Sequence, residues 1–419
     1  MLPNVHEVSL SNGFRALLVE RSSLPVVAST IWYTVGSRDE RTTETGLSHF
    51  LEHMMFKGTD RYAKGEIDLA TSLMGGSNNA FTDHDLTAYY FSLAADRWEA
   101  ALEIEASRMR GCTLDEAEFT AEKSVVLEEL AMGEDDPWNS LHQATEAVVF
   151  QVHSYHHPII GWKEDLERLG VGGMRDYYQR NYGPDRAFLV VVGDIDIPKT
   201  ESRIRELFEG IETTGGERAS VLSEPQSSGE RRATIRAPGK ATRMAIAIRT
   251  CCMGEQDDFN LDVLSCVLSS GKGSRLFREM VLDNQMVTDV STYNEPRLDP
   301  GLFWFAFELL PGVEPQAVED CLRTELQRVS DDGVEESELR RARIQLESSF
   351  LFEEETALDS ALKIGRWEAQ CQGGYRRLAE VETRYAVADN DAMRSVVQKY
   401  FSTEGWNVIH SLPTENGES

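Results

Sequence analysis

The chain has 419 residues, too many for one ordinary core and about right for two or three domains. Its 71 acidic and 42 basic residues give a formal net charge of -29, which excludes nucleic acid as a partner and disfavours anionic lipid surfaces. No run approaches the roughly 18 apolar residues that a membrane helix needs.

The opening MLPNVHEVSLSNGFRALLVE lacks both a basic-then-apolar leader and an Arg-rich transit pattern, so the expected location is the cytoplasm. Alternating apolar residues predict strands in VSLSNGFRALLVE and VVASTIWYTVGS. An apolar helix follows in GLSHFLEHMMF. Further on, Thr113 and Glu116 form a T-x-x-E pattern that predicts the start of a helix over TLDEAEFTAEKSVVLEELAM. MRDYYQRNYGPDRAFLVVVGDI then gives an aromatic-rich helix and a strand. Residues 212–230, ETTGGERASVLSEPQSSGE, are poor in large apolar side chains and read as a linker. Beyond them the outline repeats. RATIRAPG and TRMAIAIRT are strands, NLDVLSCVLS is an apolar helix, and MRSVVQKYFSTEGWNVIHSL is a helix and a strand. The pattern predicts an α+β chain of two related domains, 1–211 and 231–419, each a mixed sheet covered by helices.

The six cysteines, Cys112, Cys251, Cys252, Cys266, Cys321 and Cys371, form no C-x-x-C pair. Free thiols are expected. Cys251 and Cys252 sit in an apolar, strand-like run and are expected in the core.

Chemistry concentrates in residues 46–58, GLSHFLEHMMFKG. His49 and His53 are four apart and share one helix face, with Glu52 beside it. Two imidazoles supply two zinc ligands, and the carboxylate can take a proton from water. The H-x-x-E-H order is the inverse of the zincin motif. Leu47, Phe50, Leu51, Met54, Met55 and Phe56 make this helix apolar nearly all round, and burying two His and a Glu there without a metal would be costly. A third ligand is needed. Glu122 and Glu129 lie seven apart on one face of the later helix, among Val125, Val126 and Leu130. Spacing alone does not choose between Glu122, Glu128 and Glu129.

WYTVGSRDE, TGLSHFLEHMMFKGT, GGSNNAFTDHDLTAYYF, EKSVVLEEL, HHPIIGW and NYGPDRAFLVVVGDI occur in this order. Together they resemble the blocks of the pitrilysin/insulinase family of inverted zincins, which includes insulysin and the mitochondrial processing peptidase. The resemblance implies one half of a clamshell peptidase that pairs to close a chamber around extended peptides. It implies one zinc per chain, held by His49, His53 and Glu129, the last standing 76 positions after His53. Glu52 is then the general base and Glu122 a supporting acid that orients a His. Asn79 and Ala80 match the edge strand that pairs with substrate backbone. Phe56 matches a residue lining the pocket just after the cleaved bond.

The second half departs from the pattern. After SRLFREM the family usually supplies an Arg and a Tyr that bind substrate, where this chain has Val281 and Thr288, with Arg278 and Tyr293 nearby. The expected partner is therefore a homologous subunit without H-x-x-E-H that supplies both. A homodimer and a noncatalytic peptide-binding or structural subunit are the alternatives. Asn139 and Gln143 stand where processing-peptidase catalytic subunits carry acids that read Arg, so preference for an Arg near the cut is not expected. HSYHHPIIG, with His153, His156 and His157, reads as a structural turn. His84 lies near the edge strand, and His6, His142 and His410 carry no signal.

Overall fold

The computed structural model describes residues 4–215, 218 and 220–414. The first half contains β1 (Val5–Ser9), β2 (Arg15–Glu20), β3 (Val26–Tyr33), α1 (Leu47–Met54), α2 (Glu66–Leu73), β4 (Ser77–Thr82) and β5 (Thr87–Ala94). It continues with α3 (Glu99–Gly111), α4 (Glu116–Asp135), α5 (Pro137–Val149), α6 (Lys163–Arg168), α7 (Val171–Asn181), β6 (Ala187–Gly193) and α8 (Ile197–Phe208). The second half contains β7 (Arg231–Ala237), β8 (Arg243–Arg249), α9 (Gln256–Ser269), β9 (Val287–Glu295), β10 (Leu302–Leu309), α10 (Pro315–Asp332) and α11 (Glu336–Phe352). It ends with α12 (Ala357–Gln370), α13 (Val381–Ala386), α14 (Asn390–Tyr400) and β11 (Asn407–Pro413).

The sheets run β1-β2-β6-β3-β5-β4 and β7-β11-β8-β10-β9. Apart from β1, the two orders superimpose strand for strand. Each has one parallel pair, β2 with β6 and β7 with β11, and is otherwise antiparallel. The α+β repeat read from the sequence is therefore present in the topology.

Each sheet covers one face with helices of its own half. In the first, Ile31, Tyr89 and Phe91 pack with Leu47, Phe50 and Met54 of α1. In the second, Ile246, Phe303 and Phe305 pack with Leu261 and Leu264 of α9. The opposite faces are covered by exchange. Helix α12 of the second half lies on Trp32, Ala88 and Val190 of the first sheet. Helix α5 of the first half lies on Ala245, Ala247 and Ile409 of the second. The central strand β6 is accordingly buried along its whole length, and its run of apolar residues suits a strand covered on both faces. At the α12 crossing, a Cβ on Gly365 would lie 2.0 Å from the Trp32 indole, so only glycine permits this approach.

Three local readings are corrected. Helix α4 is capped by Asp115, whose carboxylate accepts from Ala117 and Glu118 N–H, whereas the Thr113 hydroxyl donates to the Gly58 carbonyl. Val126 and Leu130 are buried, but Val125 is 47% exposed on the outer side of α4. Cys251 is buried, whereas Cys252 lies beyond the end of β8 and is half-buried. Residues 212–215, 218 and 220–230 form no helix or strand. Glu224 ties this stretch down by accepting the backbone N–H groups of Gln151, Val152 and His153.

Candidate metal centre

Helix α1 is held at its start by a buried acid. Glu40 accepts the N–H groups of Gly46 and Ser48, satisfying donors that a helix N-terminus leaves unpaired. Burial pushes the Glu40 carboxyl up to about 8, against the pull of those backbone bonds. Leu47, Phe50, Leu51 and Met54 anchor the apolar face in the core. His49 and His53 are thereby turned toward α4, where Glu129 stands.

His49 Nε2 lies 3.7 Å and His53 Nε2 3.5 Å from the two Glu129 carboxylate oxygens. One ligand atom from each of the three residues falls within 4.8 Å of the others. Ligands about 2.0–2.2 Å from a tetrahedral zinc stand roughly 3.3–3.5 Å apart, so a small contraction would seat the ion. The donor set fits zinc: two imidazoles and one carboxylate, with a fourth position left open. Burial, with a smaller effect of His53, pushes the His49 imidazole down to about 4, which keeps it neutral and able to ligate.

Glu122, one helical heptad before Glu129, bonds His53 Nδ1 at 3.0 Å. That bond leaves Nε2 facing the centre. Lys57 pairs with the other Glu122 oxygen at 2.5 Å. Burial opposes the Glu122 charge, but the bonds from Lys57 and His53 hold its carboxyl below the ordinary range. Glu128 is exposed on another side of α4. Glu52 receives the Thr82 hydroxyl at 2.5 Å, and burial raises its carboxyl above the usual value despite that bond.

Thr82 ends β4, the free edge of the first sheet. Asn79 and Ala80 lie on the same strand, and the Ala80 N–H is taken by the Asn79 side chain. A cleft of about 660 Å³ opens from His49 and Glu129. Asn139, His142, Gln143 and Glu146 of α5 line it, and Glu295 of β9 brings the second half to its wall. Glu146, pinned between His84 and Arg297, is held ionised: burial opposes the charge, but Arg297 and then His84 outweigh it. Arg297 also bonds Glu295, so the two carboxylates of the His142, Glu146 and Glu295 cluster already hold a cation of the protein's own.

A profile of the insulinase family, Peptidase M16, matches residues 15–162, and a profile of the Peptidase M16 inactive domain matches residues 171–346. An uncharacterized zinc protease of Mycobacterium leprae is 30% identical over 388 residues, covering 89% of this chain and 84% of the relative. The chain belongs to the M16 peptidase family. The zinc protease PqqE of Helicobacter pylori is 27% identical over 86% of this M16 chain and 82% of its own. In solved structures, a protease from Helicobacter pylori superposes with a TM-score of 0.93 at 24% identity, covering 99% of this chain and all of that one. The periplasmic protease PqqL of Escherichia coli gives 0.81 at 17% identity, with this chain covering 48% of it. Both of these curated relatives are named zinc proteases. No helix among the described residues is long and apolar enough to cross a membrane.

The structure thus brings together His49, Glu52, His53, Glu122 and Glu129. Phe56, three residues past His53, sets its ring 4.5 Å from the Arg108 guanidinium and near Tyr89. Val281 is half-buried against the second core, and the Thr288 hydroxyl donates to Glu308. Tyr293 stacks on Trp304, which stacks on His142 of the cleft. His153 lies in a short helical turn between Tyr155 and Asp299. Sequence reasoning missed Thr82 and Lys57, although both lie in segments that carry the family resemblance, GGSNNAFT and HMMFKGT. Glu295 and Arg297 carried no local signal.

Proposed function

We propose that the chain is a zinc-dependent endopeptidase or oligopeptidase subunit that cuts extended peptides paired along β4. The convergence of His49 Nε2, His53 Nε2 and Glu129 on one point carries this reading. Zinc held there, one ion per chain, would polarise a peptide carbonyl and acidify water. Glu52 takes the proton of the attacking water and delivers it to the leaving amine nitrogen. Its raised carboxyl and the Thr82 bond suit a group that both accepts and returns a proton. The open edge of β4 offers main-chain groups to a substrate strand, with Asn79 yielding the Ala80 N–H to it.

Val281 and Thr288 support the second part of the proposal. Neither side chain can donate as an Arg or a phenol does, so a homologous subunit without H-x-x-E-H supplies those groups and closes a chamber. The test is to purify the chain alone and with such a homologue, then measure bound zinc and cleavage of a fluorogenic peptide. Expected are zinc near one per chain, and cleavage that is lost in Glu52→Gln while zinc is retained. A chain without zinc would overturn the reading, and full activity of the chain alone would overturn the requirement for a partner.

A further inference from the structure

Side chains of β4 alternate between two faces. Thr82 turns to Glu52, and Ala80 packs with the α1 side of the sheet. Phe81, between them, turns the other way and packs with the α12 cluster. A peptide lying along β4 has the same alternation. Every second side chain therefore points away from the metal ligands, toward α12.

A cavity of about 380 Å³ opens there, within the roughly 300–1,000 Å³ of ordinary ligand pockets. Its sheet side is made by Trp32 and Phe81, whose rings meet edge to face at 5.7 Å. Ala88 on β5 pairs with both residues, which sets the two rings side by side on this face of the sheet. Leu362, Lys363, Arg366 and Trp367 of α12 form the opposite wall. Both cations are already engaged. Lys363 Nζ bonds the Phe350 carbonyl at 2.7 Å and Glu354 at 3.1 Å. Arg366 pairs with Asp83 at 2.9 Å and lies over the Phe81 ring. Glu353 and Asp359 also line the cavity, the first 3.9 Å from Lys363 Nζ and the second accepting the Thr356 N–H and hydroxyl. Between these engaged charges, a ligand meets the Trp32, Phe81 and Trp367 rings and Leu362 beside an open strand edge, one residue from the threonine that holds Glu52.

We infer that this cavity is a specificity pocket for a large apolar or aromatic side chain of the extended substrate, on the strand face away from the metal. The inference rests on the peptidase reading. It also explains why a helix of the second half is needed at the first half's substrate edge: α12 supplies the wall that the first half lacks.

The experiment measures binding, so it does not depend on turnover. Zinc-loaded Glu52→Gln chain, paired with its homologue where one is required, is titrated with two fluorescein-labelled dodecapeptides of one neutral sequence. One carries Phe at every second position and the other Ser. The Phe peptide is expected to bind at least about 10-fold more tightly, in keeping with discrimination by an apolar pocket. Adding Leu362→Trp, which fills the cavity, should remove most of that preference and leave the Ser peptide unchanged. Leu362→Lys, which sets a charge at the cavity wall, is the second variant and should do the same. Zinc content and the thermal transition report folding in both. Equal binding of the two peptides by the parent overturns the pocket, as does a preference that survives both variants. Binding of neither peptide overturns the peptidase reading itself.

Discussion

Helices α1 and α9 hold the same place in two copies of one topology, yet of the two only α1 carries a candidate metal centre. Each follows the middle strand of the shared order, β3 or β8, and packs on the edge strand, β4 or β9, and on the second long helix, α4 or α11. Each also presents an acidic or basic pair four residues apart, His49 with His53 and Asp258 with Asp262. The difference lies in how the pairs are satisfied. On α9, Asn294 of β9 donates to both aspartates, the Gly254 N–H to Asp258, and the Tyr385 hydroxyl to Asp262. Burial raises both carboxyls, and on Asp258 the neighbouring Asp262 adds to it, so the pair retains a proton. The group is closed by its own donors. On α1, two imidazole nitrogens and the Glu129 carboxylate face one another, and no donor among the described residues lies between them. Such a cluster of acceptors calls for a cation, whereas the α9 cluster does not.

The largest effect should come from opening the α1 cluster. His49→Ala should lower zinc from one per chain toward none and abolish peptide cleavage, as read by metal analysis and a fluorogenic assay. Asp258→Asn on α9 should leave both intact, and zinc lost from that variant would break the contrast between the helices.

Next is the link between the halves. Arg297 is buried and pairs with Glu146 of α5 and with Glu295. Arg297→Met removes the cation shared by the two acids, leaving Glu146 with His84 and Glu295 with Trp304, and should destabilise the chain by about 3–5 kcal/mol, measured by denaturant unfolding. A much smaller loss would show that the two halves stand independently at this junction.

A smaller effect is expected at Glu122, which positions His53 without meeting the metal. Glu122→Gln should weaken zinc by about 10–100-fold in a chelator competition. The carboxylate on His53 Nδ1 would be shown irrelevant by an unchanged affinity.

The smallest concerns pH. Asp258 and Asp262 have raised carboxyls in the folded chain, so the folded state binds more protons than the unfolded one. Their contribution is fully present below about pH 4, the unfolded value, and is lost as pH rises through the folded values. Asp258→Asn should flatten the fall of unfolding free energy above pH 4 by on the order of 1 kcal/mol. A stability profile identical to that of the parent would show that the pair ionises freely.

Much of the molecule was legible in the sequence because it is encoded locally. The i, i+4 spacing puts His49 and His53 on one face of α1. The strand and helix order of the two halves follows from apolar periodicity, and its repetition shows in the pairs VVASTIWY and TRMAIAIRT. The proposed zinc ligand on α4 was different. A heptad places Glu122 and Glu129 on one side of that helix, but the angle at which α4 meets α1 determines that Glu129 faces both imidazoles and Glu122 stops at His53. Family resemblance supplied the answer that spacing left open. Val125 misled for a related reason, since an apolar residue beside a buried one need not share its face.

The sequence by itself determined the proposed chemistry: the candidate ligand types, the candidate base and the apolar face that buries them. Only the tertiary structure decided what covers what. Periodicity marks a sheet face or a helix stripe as apolar without naming its partner, because burial of apolar area is non-directional and any matching surface satisfies it. The exchange of α5 and α12 between sheets, the close passage of Gly365 over Trp32, and the pocket between α12 and β4 all depend on contacts across hundreds of residues, and no local pattern records them.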